Sequence, residues 1–359
     1  MDAARLSAWL SGVALVALLL VPLDRLVSAA RIDILAIDFR QTFLPAAEAL
    51  LDGRSPYPEY AYPPLVAFLS VPFALTPSPE VAVTVAIAAC VPASLWLLGV
   101  RDWRCYVAAF LWVSVFNAVQ TANVTLPILL AAAICWRWRE HAAVASVAGG
   151  LSVAAKIIAW PLALWLAFAR RLRAAAGVLL VAGGVTLGLW ATLGFSGLRA
   201  YPDNIDSAQA DYGDRGYTFQ ALALDAGTAE GMGVLLSLAC LALVLAGVAI
   251  YARRGDDMRS FACATVAMIV ASPIIWLHSF ALLLAPVALL RPRLSAIWFL
   301  PAALWFVSPG TGNGEPWQTV VTMAAAAVVA IVVLFVPPGT SLRGPVGARV
   351  PRRVHGERP

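Results

Sequence analysis

Stretches of about 20 apolar residues, the length that crosses a bilayer, recur along almost the whole chain, and no other feature restricts its fold so tightly. Candidate spans lie at 7–23, 80–100, 104–119, 121–137, 173–195, 230–252, 260–277, 294–308 and 316–337. Shorter apolar pieces at 62–76, 142–155, 157–169 and 278–291 are expected to be tilted, broken or re-entrant. Apolar residues make up 61% of the 359 and charged residues 13%, against roughly 45–50% and 25% in a soluble domain. Such an excess cannot be hidden in a water-soluble core, so hydrocarbon must solvate most of the chain. The expected fold class is all-α, a polytopic transmembrane helical bundle occupying 1–337, with a disordered basic cytoplasmic tail at 338–359.

Charge placement orients the bundle. Short arginine-rich turns at Arg137–Arg139, Arg170–Arg173, Arg253–Arg259 and Arg291–Arg293, with the tail, belong on the cytoplasmic side. The segments 24–61, 196–229 and 308–316 are acidic or neutral, and the first sets six acids against four arginines, so it should face outward. Thirteen full crossings would put the basic tail outside, whereas about 12 spans satisfy both ends, so one short piece between 62 and 169 should not cross. The net charge of +5 is spread over span ends rather than gathered in a stripe, which argues against nucleic acid as a partner. The first apolar run lacks a prompt small-x-small cleavage site and reads as a retained anchor. The five cysteines form no CxxC and read as small buried hydrophobes.

Two outer loops are long and rich in polar and aromatic residues, as functional loops are. In the first, Phe39, Phe43, Ala47, Leu50 and Leu51 recur at helical spacing, Gly53 is a natural stop, and Pro45 should kink the helix or mark its start. This amphipathic helix is expected to lie in the membrane interface with its apolar face down and Asp38 at its leading end. Asp38-Phe39-Arg40-Gln41 also matches a capping box, a purely structural use of the carboxylate that does not exclude a role as base. Lys156, the single lysine, sits among apolar residues, where a cation normally faces a cavity or an anionic partner unless it snorkels to an interface. His278 is the one histidine expected on the outer side and follows Trp276, itself a plausible belt aromatic. The second loop carries Asp203, Asp206, Asp211 and Asp214 before Tyr217-Thr218-Phe219-Gln220; its acids read as a solvated face, and no metal or other cofactor is expected.

The run Asp38-Phe39-Arg40, Ala46 to Gly53, Pro56-Tyr57 and Tyr62-Pro63-Pro64-Leu65 resembles the first outer loop of glycosyltransferase family 87. The likeness continues through Ala122-Asn123-Val124-Thr125, through Gly149-Gly150-Leu151 to Lys156, Trp160-Pro161 and Arg170–Arg173, and through Ser272-Pro273, Trp276 and His278. The family's Gly-Gln is absent at 122–123, and Ser279 stands where a second histidine is often found. The resemblance implies the C-type glycosyltransferase fold and a mannosyltransferase of the cell membrane, its site on the outer face. It implies a polyprenyl-phosphate-linked donor, a glycolipid or glycan acceptor, and inversion at the anomeric carbon. By carry-over Asp38 is the base and His278 a second catalytic residue, while Lys156, Arg40, Tyr62, Trp276, Gln220 and Asn123 would hold donor phosphate or substrate. A phosphate leaving group needs no general acid, so one carboxylate suffices where glycosidases use two. The rivals are the same fold with lipid-linked arabinofuranose or glucose, and a lipid or sugar transporter or flippase, although the internal repeats common in transporters are not evident.

Overall fold

Proline and short polar breaks divide the apolar sequence more finely than hydropathy alone suggests. The computed structural model describes residues 12–14, 16–199, 201–309 and 314–335. The expected tail at 338–359 and the first residues of the leading span lie outside them. Every regular element among the described residues is helical. In chain order these are α1 (Gly12–Arg31), a π-helical turn (Phe39–Phe43), α2 (Leu44–Leu51), α3 (Pro64–Ala74), α4 (Pro79–Leu97), α5 (Trp103–Phe110) and α6 (Val113–Gln120). Then follow α7 (Thr125–Arg137), α8 (Ala142–Ala155), α9 (Pro161–Phe168), α10 (Leu172–Thr192), α11 (Tyr201–Tyr212) and α12 (Phe219–Asp225). The last are α13 (Glu230–Arg253), α14 (Asp257–Val270), α15 (Leu284–Leu290), α16 (Leu300–Ala303) and α17 (Pro316–Phe335).

Among the described residues five helices, α1, α4, α10, α13 and α17, are long and apolar enough to cross a membrane unaided. They match five of the expected spans, although α1 runs on to Arg31, past the expected end at 23. The runs at 104–119 and 121–137 are instead three helices, with α6 and α7 meeting at a 113° bend. The run at 260–277 stops at Val270, ahead of Pro273, whose ring disfavours helix in the residue before it. The run at 294–308 breaks into short turns around α16, which has proline in its first turn. About a dozen crossings would require these shorter helices to pair as broken spans, in the manner of α6 and α7. Lipid is the natural solvent of the outer helices: α13 buries only 11% of its apolar window and leaves Leu235, Leu238 and Leu243 exposed.

Small residues draw the central helices together. A Cβ on Gly150 would stand 2.5 Å from that of Val181, and one on Gly177 would stand 2.0 Å from the Ser146 hydroxyl, so α8 and α10 pack at a distance only glycine permits. Ser146 donates to Ala142 O and lies 3.3 Å from Ala174 O, a polar link across the same seam.

A charged network closes one end of this core. Asp257 accepts from Arg139 Nε at 2.7 Å, from both terminal nitrogens of Arg171 at 3.0 and 2.9 Å, and from Trp165 Nε1 at 3.0 Å. Beneath it Trp136, Trp165 and Phe261 stack with centroids 4.8–5.8 Å apart. The C-terminus of α7 and the N-termini of α8, α10 and α14 therefore share a level, at three of the arginine-rich turns marked in the sequence. Helices α7, α8 and α14 contain 13, 14 and 14 residues, each about 20 Å long at 1.5 Å per residue. Starting at one boundary of a hydrocarbon layer about 30 Å thick, they stop some 10 Å short of the other. Their far ends carry Asn123, Lys156 and the 271–278 segment.

Candidate active site

Irregular backbone at membrane depth survives only where protein or a cavity covers it. The breaks after α6, α8 and α14 therefore mark the place to look for chemistry. The turn at 121–123 takes up Asn117, Ala118 and Val119 O, and the chain leaving α1 supplies donors to the two carbonyls that remain: Ala36 N donates to Gln120 O at 2.6 Å and Asp38 N to Thr121 O at 3.1 Å. Ala36 and Ala122 hold φ of 55° and 54°, left-handed conformations that cost a non-glycine residue of order 1 kcal/mol and often flank functional sites. These contacts aim the Asp38 side chain at Asn123, whose Nδ2 donates to Asp38 Oδ2 at 2.7 Å. Asn123 is itself locked, because its Oδ1 accepts from Thr125 N at 3.0 Å and from Thr125 Oγ1 at 2.8 Å.

The capping reading of Asp38 is overturned. Its backbone is already helical at φ −64° and ψ −40°, and its carboxylate makes no cap bond to the turn that follows. The amphipathic segment also departs from expectation, since its apolar face turns into the protein rather than into lipid. Phe39 and Phe43 are almost fully buried and pack edge-on against Phe73 and Tyr62. Pro45 falls in the first turn of α2, the start signal rather than a kink, and Gly53 follows its end at φ 70°. Burial pushes the Asp38 carboxyl above its ordinary range, with Asn123 and the positive charge of Lys156 opposing that rise.

Lys156 occupies the extended residue between α8 and the turn that begins α9, with φ −155° and ψ 120°. Its ammonium lies 5.8 Å from the Tyr62 ring centroid and within electrostatic reach of Asp38 and His278. Tyr62 in turn interacts with Asp38 and Asn123. His278 is 4% exposed, and its Nε2 is buried without a hydrogen-bond partner among the described residues, as is the Ser279 hydroxyl. A buried imidazole nitrogen left in this state can serve a hydroxyl brought in by a ligand. Asp38, Asn123, Tyr62, Lys156 and His278 thus form one constellation, drawn from four distant stretches of chain.

A model of the family described as glycosyltransferase family 87 matches residues 60–273, more than half of the chain. The chain belongs to glycosyltransferase family 87. It is a membrane glycosyltransferase, an enzyme that transfers a sugar from a donor to an acceptor. No curated protein and no solved structure matches it. The matched stretch contains Tyr62, Asn123, Lys156 and Gln220 of this family 87 enzyme, whereas Asp38, Arg40, Trp276 and His278 flank it.

Three of the residues named from sequence sit differently in the family 87 chain. Arg40 is engaged outside the constellation: its Nη1 donates to the Asp33 backbone carbonyl at 2.6 Å and lies 3.6 Å from the Asp33 carboxylate, and its Nε is 3.9 Å from Glu80. Gln220 lies on α12, its backbone against Gly233, and no hydrogen bond joins it to Asp38 or Lys156 among the described residues. Trp276 caps the 3-10 turn that carries His278 and accepts from Ser279 N at 2.9 Å. Tyr217 and Thr218 fasten the second loop: Tyr217 N donates to Ile275 O at 2.7 Å, and Thr218 caps α12. Asp203, Asp206 and Asp214 are exposed, as a solvated face requires. Among the described residues no group of three His, Cys, Asp or Glu side chains could hold a metal.

An aromatic tract was missed from sequence. Phe43, Tyr62, Tyr60, Tyr57, Trp190 and Tyr201 follow one another with centroids 5.0–6.0 Å apart, leading from Lys156 to the top of α10. The signal was present in Tyr57, Tyr60 and Tyr62 interleaved with four prolines, a pattern that fixes ring directions.

Proposed function

We propose that this enzyme moves a mannosyl residue from a polyprenyl-phosphate carrier to a hydroxyl of a glycolipid or glycan on the outer face of the cell membrane. The observation that carries the reading is a carboxylate held by Asn123, with the chain's single lysine in its electrostatic field. In the reaction Asp38 takes the proton of the acceptor hydroxyl as its oxygen attacks the anomeric carbon. The bond from that carbon to the phosphate oxygen breaks, and the electron pair leaves with the polyprenyl phosphate. Lys156 stabilises the departing charge, and a cation does so far better in a site of low dielectric than in water. One displacement inverts configuration, turning a β-linked donor into an α-mannoside. His278 Nε2 receives a hydroxyl of sugar or acceptor, and the aromatic tract gives sugar rings and prenyl units a surface to lie against. The C-type fold fits a site recessed between broken helices, and the outward assignment follows from the acidic bias of 24–61 opposite the arginine-rich end.

The test is transfer from polyprenyl-phosphate-mannose in membranes containing wild type or Asp38→Asn at matched expression. Removing a positioned base should lower the rate about 10²–10⁴-fold. Equal rates would discard Asp38 as base. Use of lipid-linked arabinofuranose or glucose, with mannose refused, would overturn the sugar assignment alone.

A further inference from the structure

A cavity of about 340 Å³ lies at the arginine end, away from Asp38, lined by Arg139, Glu140, Arg170, Arg171, Arg173 and the first residues of α8 and α10. The transfer chemistry proposed above does not use it. Four arginines line it, whereas the acids at hand are Glu140 and Asp257, and Arg139 and Arg171 share both of those. Arg170 and Arg173 make no ion pair among the described residues, whereas Arg171 is held by Glu140 and Asp257. Two helix N-termini open on the same space: Ala142 begins the 14-residue α8, and Leu172, Arg173 and Ala174 begin the 21-residue α10. Neither has a side-chain cap, so first-turn amides and the positive ends of both helix dipoles are left for a ligand.

Uncapped N-termini and forked guanidinium groups both select tetrahedral oxyanions, phosphate above all. We infer that this cavity binds the phosphate of an anionic phospholipid headgroup, on the face of the enzyme opposite the Asp38 constellation. The lipid source is favoured by the surroundings. Val144 and Val147 on α8 and Leu172, Leu179 and Leu180 on α10 are exposed apolar side chains on the two helices that leave the cavity. They offer acyl chains a path that a free anion would not need. Helix ends bearing charged residues also lie at headgroup depth.

The test uses the full chain in nanodiscs of phosphatidylcholine with a small fraction of phosphatidylglycerol, and counts retained lipid by native mass spectrometry. Wild type should retain phosphatidylglycerol in preference to phosphatidylcholine. Arg170→Gln with Arg173→Gln should bind it roughly 30-fold more weakly, about fivefold per arginine. Arg137→Gln with Arg254→Gln removes two arginines from the same end that do not line the cavity, and should leave retention unchanged. An equal loss in both double variants would reduce the effect to a diffuse field and overturn the site. So would equal retention by wild type and the Arg170/Arg173 variant. If the double variant is not monodisperse, each single substitution should show its own fivefold loss, and none in either would have the same force. In pure phosphatidylcholine, stabilisation of wild type by inorganic phosphate without any preference for phosphatidylglycerol would overturn the lipid source.

Discussion

Replacing Asn123 by alanine tests the arrangement around Asp38 without touching the carboxylate. The wild-type contact is a 2.7 Å hydrogen bond from an amide to a charged acceptor, made by a donor pinned through Thr125. Such bonds contribute about 1.5–3 kcal/mol. If the full amount is lost from the orientation of the base in the transition state, kcat should fall roughly 10- to 100-fold. Asn123 also favours the ionised form of Asp38 against burial, so the variant carboxyl should titrate at still higher pH. Because the base must be deprotonated, activity is lost as pH falls through that value, and the acid limb of kcat/KM should shift upward in the variant. Asn123→Asp should be more damaging, since it sets a second carboxylate against the first. The assay is initial rate against pH in detergent or nanodiscs, with thermal unfolding followed in parallel to separate misfolding from chemistry. An Asn123→Ala enzyme with unchanged kcat and an unmoved acid limb would refute the reasoning.

For Lys156→Ala, KM for the lipid-linked donor should rise and kcat fall, with partial recovery in Lys156→Arg; unaltered donor affinity would remove the phosphate role. Gly150→Ala brings a methyl to within 2.5 Å of Val181 Cβ and 3.0 Å of Val178 O, and overpacking of this kind costs about 1–3 kcal/mol, read as a lower unfolding temperature in detergent. In a cysteine-free background, Arg54→Cys should react with an impermeant maleimide added outside intact cells, and Arg254→Cys only after permeabilisation; the reverse pattern would invert the proposed topology.

What could be read from the residues follows a clear division. Hydropathy located α4, α10, α13 and α17 to within a few residues, because a long helix surrounded by lipid answers only to its own composition. Arginine placement marked the level at which α7, α8, α10 and α14 meet, because charge cannot stay in hydrocarbon. Asp38, Lys156 and His278 stood out for a similar reason, as ionisable groups beside or within apolar sequence. The break at Leu111–Trp112 inside the run 104–119 was not legible, since no proline or polar residue marks it; Trp112 turns extended where its Nε1 donates to Trp298 O, 186 positions away, at 2.8 Å.

Long-range packing made the remaining decisions. The same Asp38-x-x-Gln41 pattern could have capped a turn; Asn123, 85 positions away, drew the carboxylate elsewhere. Arg40, equally cationic in the sequence, was taken by Asp33 and Glu80, which leaves Lys156 in the electrostatic field of Asp38. The sequence by itself determined that this chain lives in a membrane and which groups burial would make costly. Only the tertiary structure decided which of them share a site, because a charge settles wherever the fold supplies a partner, and periodicity carries no record of where that partner will be.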